Sequence, residues 1–182
     1  MKAKVNKLKV DKSWSLFLDR DGVINKRLLN DYVKGWQEFE FMPDVLTTIS
    51  KLSKIFGHIF VFTNQQGIGK GLMLENDLIN IHNNMVKEIQ VNGGKIDAVY
   101  YCPHLKSADC LCRKPSTFLL KKAQAEYQDI CFSKAIMVGD MPSDIEFGKN
   151  IGAYTIMLSN TASTTADYNI RLFKELLAVI ST

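Results

Sequence analysis

No apolar run in the chain approaches the roughly 20 residues that a membrane-spanning helix requires, which argues against such a helix. The lysine-rich segment 1–12 is not followed by the apolar core of a secretory signal, so we expect a cytoplasmic location. Lysine and arginine form no dense block, and a formal net charge of +4 is too small to indicate a nucleic-acid-binding surface. Repeats, low-complexity tracts and linkers are also absent, which predicts a single domain over residues 1–182.

Cysteine is scarce, and its distribution is uneven. Three of the four cysteines lie beside a histidine in the segment 102–112, which favours metal binding over disulfide bonds. The set is Cys102, His104, Cys110 and Cys112. Three sulfurs and one imidazole would form a closed tetrahedral zinc site, which indicates a structural role, and zinc would supply folding energy to a loop with few apolar residues. A cluster of buried thiols is the alternative.

Five short apolar runs, separated by helical patterns, organise the chain. Their residues are nearly all apolar, which is typical of strands that are buried on both faces of a parallel sheet. The runs are Trp14–Leu18, Ile59–Phe62, Ala98–Tyr101, Ala135–Val138 and Tyr154–Leu158. The alternation of strand and helix predicts an α/β fold, a doubly wound, Rossmann-like parallel sheet with helices on both faces.

Apolar residues at helical spacing follow most of these runs. Pro43 is expected at the first position of the first helix, and Ser143 with Glu146 is expected to form a capping box at the start of the fourth. A last stripe over Ile170–Ile180 predicts a C-terminal helix that packs on the core.

Polar residues follow three of the runs, where the strands are expected to end. They are Asp19 and Asp21 after the first run, Thr63 and Asn64 after the second and Asp140 after the fourth. Arg113 and Lys114 lie between the second and the fourth run in the sequence. Ligands of open parallel sheets bind beyond the carboxyl ends of the strands, so we expect these side chains to lie together. For Asp19 and Asp21 taken alone, a polar turn is an equally good interpretation.

Carboxylates, a hydroxyl group and a lysine in one place suit the transfer of a phosphoryl group. The oxygen atoms of Asp19 and Asp140 are ligands that Mg²⁺ prefers, and the ion and Lys114 would offset the repulsion between a carboxylate nucleophile and a phosphate. Asp19 would form a covalent aspartyl-phosphate, while Asp21 would protonate the leaving oxygen and then deprotonate the attacking water. The sequence therefore predicts a magnesium-dependent phosphatase.

The order and spacing of these motifs resemble those of the haloacid dehalogenase-like phosphatase superfamily. The resemblance covers about residues 14–158 and rests on Asp-Arg-Asp-Gly at 19–22, Thr-Asn-Gln at 63–65, Lys114, and Asp140 with Asp144. The loop at 102–115 adds a likeness to the branch that contains heptose bisphosphate phosphatases and histidinol-phosphate phosphatases. The likeness implies an enzyme, a phosphoric monoester hydrolase.

The resemblance also implies a role for each matching residue. Asp19 would be the nucleophile, Asp21 the general acid and base, and Lys114 a catalytic cation. The transferring phosphate and the rest of the substrate would be bound by Thr63, Asn64, Gln65, Arg113 and Lys114. Mg²⁺ would be held by the side chains of Asp19 and Asp140 and the backbone carbonyl of Asp21. Asp144 would support this set of ligands.

Two substrates remain open within the branch. The segment 63–71 favours D-glycero-D-manno-heptose 1,7-bisphosphate, cut at C7 in carbohydrate metabolism that supplies lipopolysaccharide. The short spacing between His104 and Cys110 favours histidinol phosphate. A non-catalytic zinc-dependent binding module is the alternative of another class. We expect a monomer without a large cap that acts on a small phosphorylated metabolite and binds neither nucleic acid nor membrane.

Overall fold

The computed structural model describes residues 7–161 and 165–182, so part of the lysine-rich N-terminal segment lies outside the described residues. Strands and helices are, in chain order, β1 (Leu8–Lys9), β2 (Ser15–Leu18), α1 (Val45–Ile55), β3 (His58–Asn64), α2 (Glu75–Val91), β4 (Ala98–Cys102), α3 (Phe118–Glu126), β5 (Ala135–Gly139), α4 (Pro142–Lys149), β6 (Tyr154–Leu158), β7 (Tyr168–Ile170), α5 (Leu176–Val179) and β8 (Ile180–Ser181). Short 3-10 helices cover Trp36–Glu38, Phe132–Lys134 and Phe173–Glu175.

The main sheet has six strands in the order β4-β3-β2-β5-β6-β7, and every neighbouring pair is parallel. The chain enters at the centre with β2, builds one half of the sheet out to β4, and then returns beside β2 to build the other half. This order confirms the predicted doubly wound sheet and its five strands. The edge strand β7 is a sixth strand that the apolar pattern did not predict.

Each face of the sheet carries its own hydrophobic core. Successive side chains of a strand point to opposite faces, so Leu16 and Leu18 of β2 join one core while Phe17 joins the other. The first core includes residues of α1, α2 and α5, and the second includes residues of α3 and α4. This arrangement confirms the prediction that helices cover both faces.

Two predicted helix starts are corrected by the structure. Helix α1 begins at Val45 after an N-cap at Asp44 with a φ of 64°, so Pro43 lies outside the helix. Helix α4 begins at Pro142, and its cap is the backbone N–H of Met141 donating to Asp144 Oδ2 at 3.1 Å. Asp144 therefore makes the capping contact that was predicted for Glu146, because the helix begins one residue before Ser143.

The predicted C-terminal helix over Ile170–Ile180 is largely wrong. Ile170 ends β7, Ile180 begins β8, and the α-helix between them is confined to Leu176–Val179. Ile170, Phe173, Leu176 and Ile180 are nevertheless buried, and Leu177 is partly buried, because β8 pairs in parallel with β1 and holds the C-terminal segment against the core. Tertiary strand pairing has overridden the helical periodicity.

Among the described helices, none is both long and apolar enough to cross a membrane.

Candidate active site

The carboxyl ends of three neighbouring strands bring the predicted polar residues together. Since β2 lies between β3 and β5, the residues that follow these strands meet at one edge of the sheet. A cavity of about 710 Å³ lies there, and its walls include Asp19, Asp21, Thr63, Asn64, Arg113 and Lys114. The sequence-based grouping of these residues is therefore reproduced in space.

Lys114 is a buried cation at the edge of this cavity. Its side chain is only 2% exposed, and its Nζ donates to Asp19 Oδ1, to the backbone carbonyl of Phe62 and to Asp144 Oδ1, each at 2.7 Å. Burial alone would lower the pKa of Lys114, but the charges of Asp144 and Asp19 outweigh it and raise the pKa. The ammonium group is therefore charged and joins the carboxylate that follows β2 to the carboxylate of Asp144 in the first turn of α4.

Asp19 has an environment suited to a nucleophile. Its side chain is 6% exposed, and burial raises its pKa to about 6 against the opposing charge of Lys114. The neighbouring carboxylate of Asp144 raises the pKa further. Lys114 contacts Oδ1, while Asp19 also lines the cavity. A buried, weakly hydrated carboxylate can attack an electrophilic phosphorus.

The turn after Asp19 depends on a glycine. Gly22 has a φ of +93°, which side chains with a Cβ rarely adopt, and a Cβ there would lie 2.1 Å from Asp140 Oδ2. Glycine thus lets the segment that carries Asp19 and Asp21 pass directly against the carboxylate of Asp140.

Three donor groups hold the carboxylate of Asp21 in place through four hydrogen bonds. Arg20 donates from Nη2 to both oxygens at 2.9 and 3.0 Å, Asn25 donates to Oδ1 at 2.9 Å, and Gln65 donates to Oδ2 at 2.6 Å. Burial would raise the pKa of Asp21, but the charge and hydrogen bonds of Arg20 outweigh it and lower the pKa. The sequence motifs predicted this role for none of Arg20, Asn25 and Gln65.

Gln65 and Asn64 make contacts that differ from their expected ones. Gln65 was expected to bind substrate, but its side chain is fully buried and donates to Thr63 Oγ1 at 2.8 Å as well as to Asp21. Asn64 lines the cavity and also accepts a hydrogen bond from the backbone N–H of Lys114 at 3.0 Å. Both amides therefore position residues that face the cavity.

The guanidinium group of Arg20 is fully buried and reaches His82 on helix α2. Its Nη1 lies 3.2 Å from His82 Nε2, and burial together with the charge of Arg20 lowers the pKa of His82 to about 3. His82 is therefore neutral and accepts the hydrogen bond. The partners are 62 residues apart in the chain, so no local motif signalled this contact.

Cys102 at the end of β4 and three residues of the following loop converge as predicted for a metal. The Sγ atoms of Cys102 and Cys110 lie 3.6 Å apart, those of Cys110 and Cys112 lie 3.9 Å apart, and His104 Nδ1 lies 3.7 Å from Cys102 Sγ and 3.1 Å from Cys112 Sγ. Ligands of a tetrahedral zinc ion, with bonds of about 2.0–2.3 Å, are expected about 3.5–3.8 Å apart. The donor set and most of its spacing fit zinc.

Oxygen ligands converge at a second place, at the cavity edge. One carboxylate oxygen from each of Asp19, Asp140 and Asp144 lies within 4.8 Å of the others. The backbone carbonyl of Asp21 and Asp140 Oδ1 both lie within 2.8 Å of the same nitrogen of Arg27. Hard oxygen donors converging in this way fit Mg²⁺.

Comparisons with known proteins agree with this geometry. A family model described as HAD-hydrolase-like matches residues 111–172. A heptose-1,7-bisphosphate 7-phosphatase of Mycobacterium tuberculosis is 41% identical over 140 residues, which are 77% of this chain and 74% of that protein. The Campylobacter jejuni protein of the same name is 36% identical over 93% of this chain and 95% of its own length. Both names specify the D-glycero-α-D-manno sugar.

A solved structure shows the same architecture. The D,D-heptose 1,7-bisphosphate phosphatase of B. bronchiseptica, crystallised with magnesium and phosphate, superposes with a TM-score of 0.77 at 25% identity. The superposition covers 88% of this chain and 94% of that one.

The fold and the site define a HAD-like phosphatase, a phosphoric monoester hydrolase built on a Rossmann-like sheet. Residues 7–161 and 165–182 contain no large cap. Within that class the chain belongs to the family of D-glycero-D-manno-heptose-1,7-bisphosphate 7-phosphatases. The resemblance inferred from the sequence motifs is confirmed.

Neutral His82 should make the stability of the protein depend on pH. Its pKa is about 3 in the folded chain and 6.5 when unperturbed, so between these values the unfolded chain binds the proton and the folded chain does not. The free energy of unfolding should therefore fall as the pH is lowered from 6.5 towards 4. In His82→Gln, an amide oxygen can still accept from Arg20 but cannot titrate, so the decline should be shallower. Urea unfolding at several pH values measures both slopes, and equal slopes would contradict the assignment.

Proposed function

We propose that the chain is a magnesium-dependent phosphatase that removes the C7 phosphate of D-glycero-D-manno-heptose 1,7-bisphosphate through an aspartyl-phosphate on Asp19. The main observation in support of the proposal is the buried contact of Lys114 with Asp19 at the edge of the cavity. Membership of the heptose bisphosphate phosphatase family supports the choice of substrate.

In the first step, Asp19 would attack phosphorus while the sugar oxygen leaves. Lys114 would offset the repulsion between the carboxylate and the incoming phosphate, and Thr63 would donate its hydroxyl to a phosphate oxygen. Arg113 on the cavity wall would bind the rest of an anionic substrate. In this arrangement the bond from phosphorus to the sugar oxygen breaks as the bond to the Asp19 carboxylate forms.

Asp21 would supply the leaving oxygen with a proton and later take one from water. Its pKa is lowered in the free protein, chiefly because the charge of Arg20 outweighs burial, and this suits the second step, in which Asp21 acts as a base. For the first step it must be protonated, and the negative charge of a bound phosphate raises the pKa of a nearby carboxyl group. The three donor groups around Asp21 would keep its carboxylate oriented between the two steps.

Mg²⁺ would be held by the side chains of Asp19 and Asp140 and by the backbone carbonyl of Asp21. When bound, the ion would draw charge from the phosphate oxygens and so lower their repulsion of the nucleophile. Asp144 contacts Lys114 and the N-terminus of α4, so we assign it to positioning the lysine.

Zinc would be bound by Cys102, His104, Cys110 and Cys112 and would act structurally. Arg113 and Lys114 follow this loop directly in the chain, and Arg113 Nη1 lies 3.4 Å from the carbonyl of His104. A metal that orders the loop would therefore place both cations at the cavity. The expected monomeric state and cytoplasmic location remain predictions.

Histidinol phosphate is the second candidate substrate, because only five residues separate His104 from Cys110. Phosphate release from the purified protein with Mg²⁺ should be measured on both anomers of the heptose bisphosphate and on histidinol phosphate. We expect kcat/KM to favour the α-heptose bisphosphate by about a hundredfold or more over histidinol phosphate, which corresponds to about 2.7 kcal/mol. Asp19→Asn is the control for contaminating phosphatases. A reversed preference would assign the protein to histidinol phosphate.

Loss of one zinc ligand should lower activity without touching the cavity residues. Cys110→Ser should reduce the bound zinc, measured by elemental analysis, and lower kcat severalfold because the loop that leads to Lys114 is no longer held. The matched control is Cys131→Ser, which changes an exposed cysteine outside the metal cluster. Full activity in a zinc-free Cys110→Ser protein would contradict the positioning role.

A further inference from the structure

Arg27 makes contacts that the proposed reaction does not use. Its Nη2 donates to the backbone carbonyl of Asp21 at 2.8 Å and to Asp140 Oδ1 at 2.7 Å, and its Nε donates to Asp140 Oδ2 at 2.9 Å. The same Nη2 lies 3.6 Å from Asp19 Oδ2. One guanidinium group thus contacts all three residues that are proposed to hold Mg²⁺.

Arg27 Nη2 thus occupies the space among the oxygen atoms that the ion would contact. Mg²⁺ takes its oxygen ligands at about 2.0–2.1 Å and demands near-octahedral geometry. If the guanidinium nitrogen kept its hydrogen bonds to these oxygens, it would lie beside a doubly charged ion with no ligand between them. The two positive groups would then repel each other. Arginine does not lose its proton in proteins, so the side chain cannot remain there as a neutral group. It has to move away when the ion binds.

Exposure distinguishes Arg27 as the cation that can move away from the carboxylates. Among the described residues, three cations contact the site's carboxylates. The side chains of Arg20 and Lys114 are 0% and 2% exposed, whereas that of Arg27 is 38% exposed. Arg27 also lines the cavity, so its side chain has space beside it.

The backbone beside Arg27 is held while its side chain is accessible. The N–H of Lys26 donates to the carbonyl of Glu40 at 2.8 Å, and the side chains of Lys26 and Glu40 also form an ion pair. The residues after Arg27 form neither helix nor strand as far as Lys34. Rotation about the side-chain bonds of Arg27 can therefore withdraw the guanidinium group without moving the backbone at Lys26.

We propose that Arg27 is an internal cation that competes with Mg²⁺ for the ligand oxygens of Asp19, Asp21 and Asp140. The proposal rests on the magnesium site of the proposed function. Before the ion binds, Arg27 neutralises the carboxylates and holds the turn at Asp21 against Asp140. When the ion binds, the guanidinium moves into the cavity, and the affinity for Mg²⁺ is reduced by the free energy of the contacts that it gives up.

Binding of Mg²⁺ without substrate tests the competition. Isothermal titration calorimetry of the zinc-loaded protein should show that Arg27→Gln binds Mg²⁺ about tenfold more tightly than the unchanged protein, because the competing state is removed. The matched control is Lys26→Gln, which removes the same charge from the neighbouring residue without touching the ligand oxygens. Its affinity should equal that of the unchanged protein.

A spectroscopic measurement checks the movement itself. In protein with ¹⁵N-labelled arginine, the side-chain N–H signal that is absent from Arg27→Gln belongs to Arg27, and it should shift as Mg²⁺ is added. Equal tightening in both variants would reduce the effect to long-range charge and overturn the competition, as would no tightening in Arg27→Gln or an unchanged signal at saturation. Failure of the unchanged protein to bind Mg²⁺ would instead reject the magnesium site of the proposed function, and the competition with it.

Discussion

The buried contact between Lys114 and the carboxylates of Asp19 and Asp144 is the interaction on which the rest of the site depends. It joins the end of β2 to the start of α4 through a residue that follows the cysteine loop. Removing one partner of such a buried set leaves an uncompensated charge, which typically costs about 3–5 kcal/mol. The sheet, the loop and the helix are thus joined where the phosphate would bind, and a metal held by the cysteine and histidine residues upstream of Lys114 would strengthen that connection.

Much of this site was predictable because its polar side chains lie at the carboxyl ends of the strands. Buried parallel strands are recognisable as apolar runs, and the residue after each run lies at the same edge of the sheet. The positions of Asp19, Thr63 and Asp140 follow from that rule alone. The convergence of Cys102, His104, Cys110 and Cys112 was equally predictable, since these residues lie close together in the chain.

The remaining features depend on contacts between distant parts of the chain. The hydrogen bond between Arg20 and His82 joins residues 62 positions apart, and the ion pair of Arg27 with Asp140 joins residues 113 positions apart. The predicted C-terminal helix failed for the same reason, because pairing of β8 with β1 outweighed a helical apolar pattern. Local patterns describe which surfaces are apolar, and tertiary pairing decides what covers them.

The central claim is that Asp19 becomes covalently phosphorylated. Acyl phosphates are reduced by borohydride to alcohols, so quenching the reaction with borohydride during turnover should convert a phosphorylated aspartate into homoserine. Peptide mass spectrometry should then find homoserine at position 19, and only when substrate and Mg²⁺ are both present. Homoserine at position 21 or 140 instead, with position 19 unchanged, would contradict the account and move the nucleophile to another carboxylate of the same cavity edge.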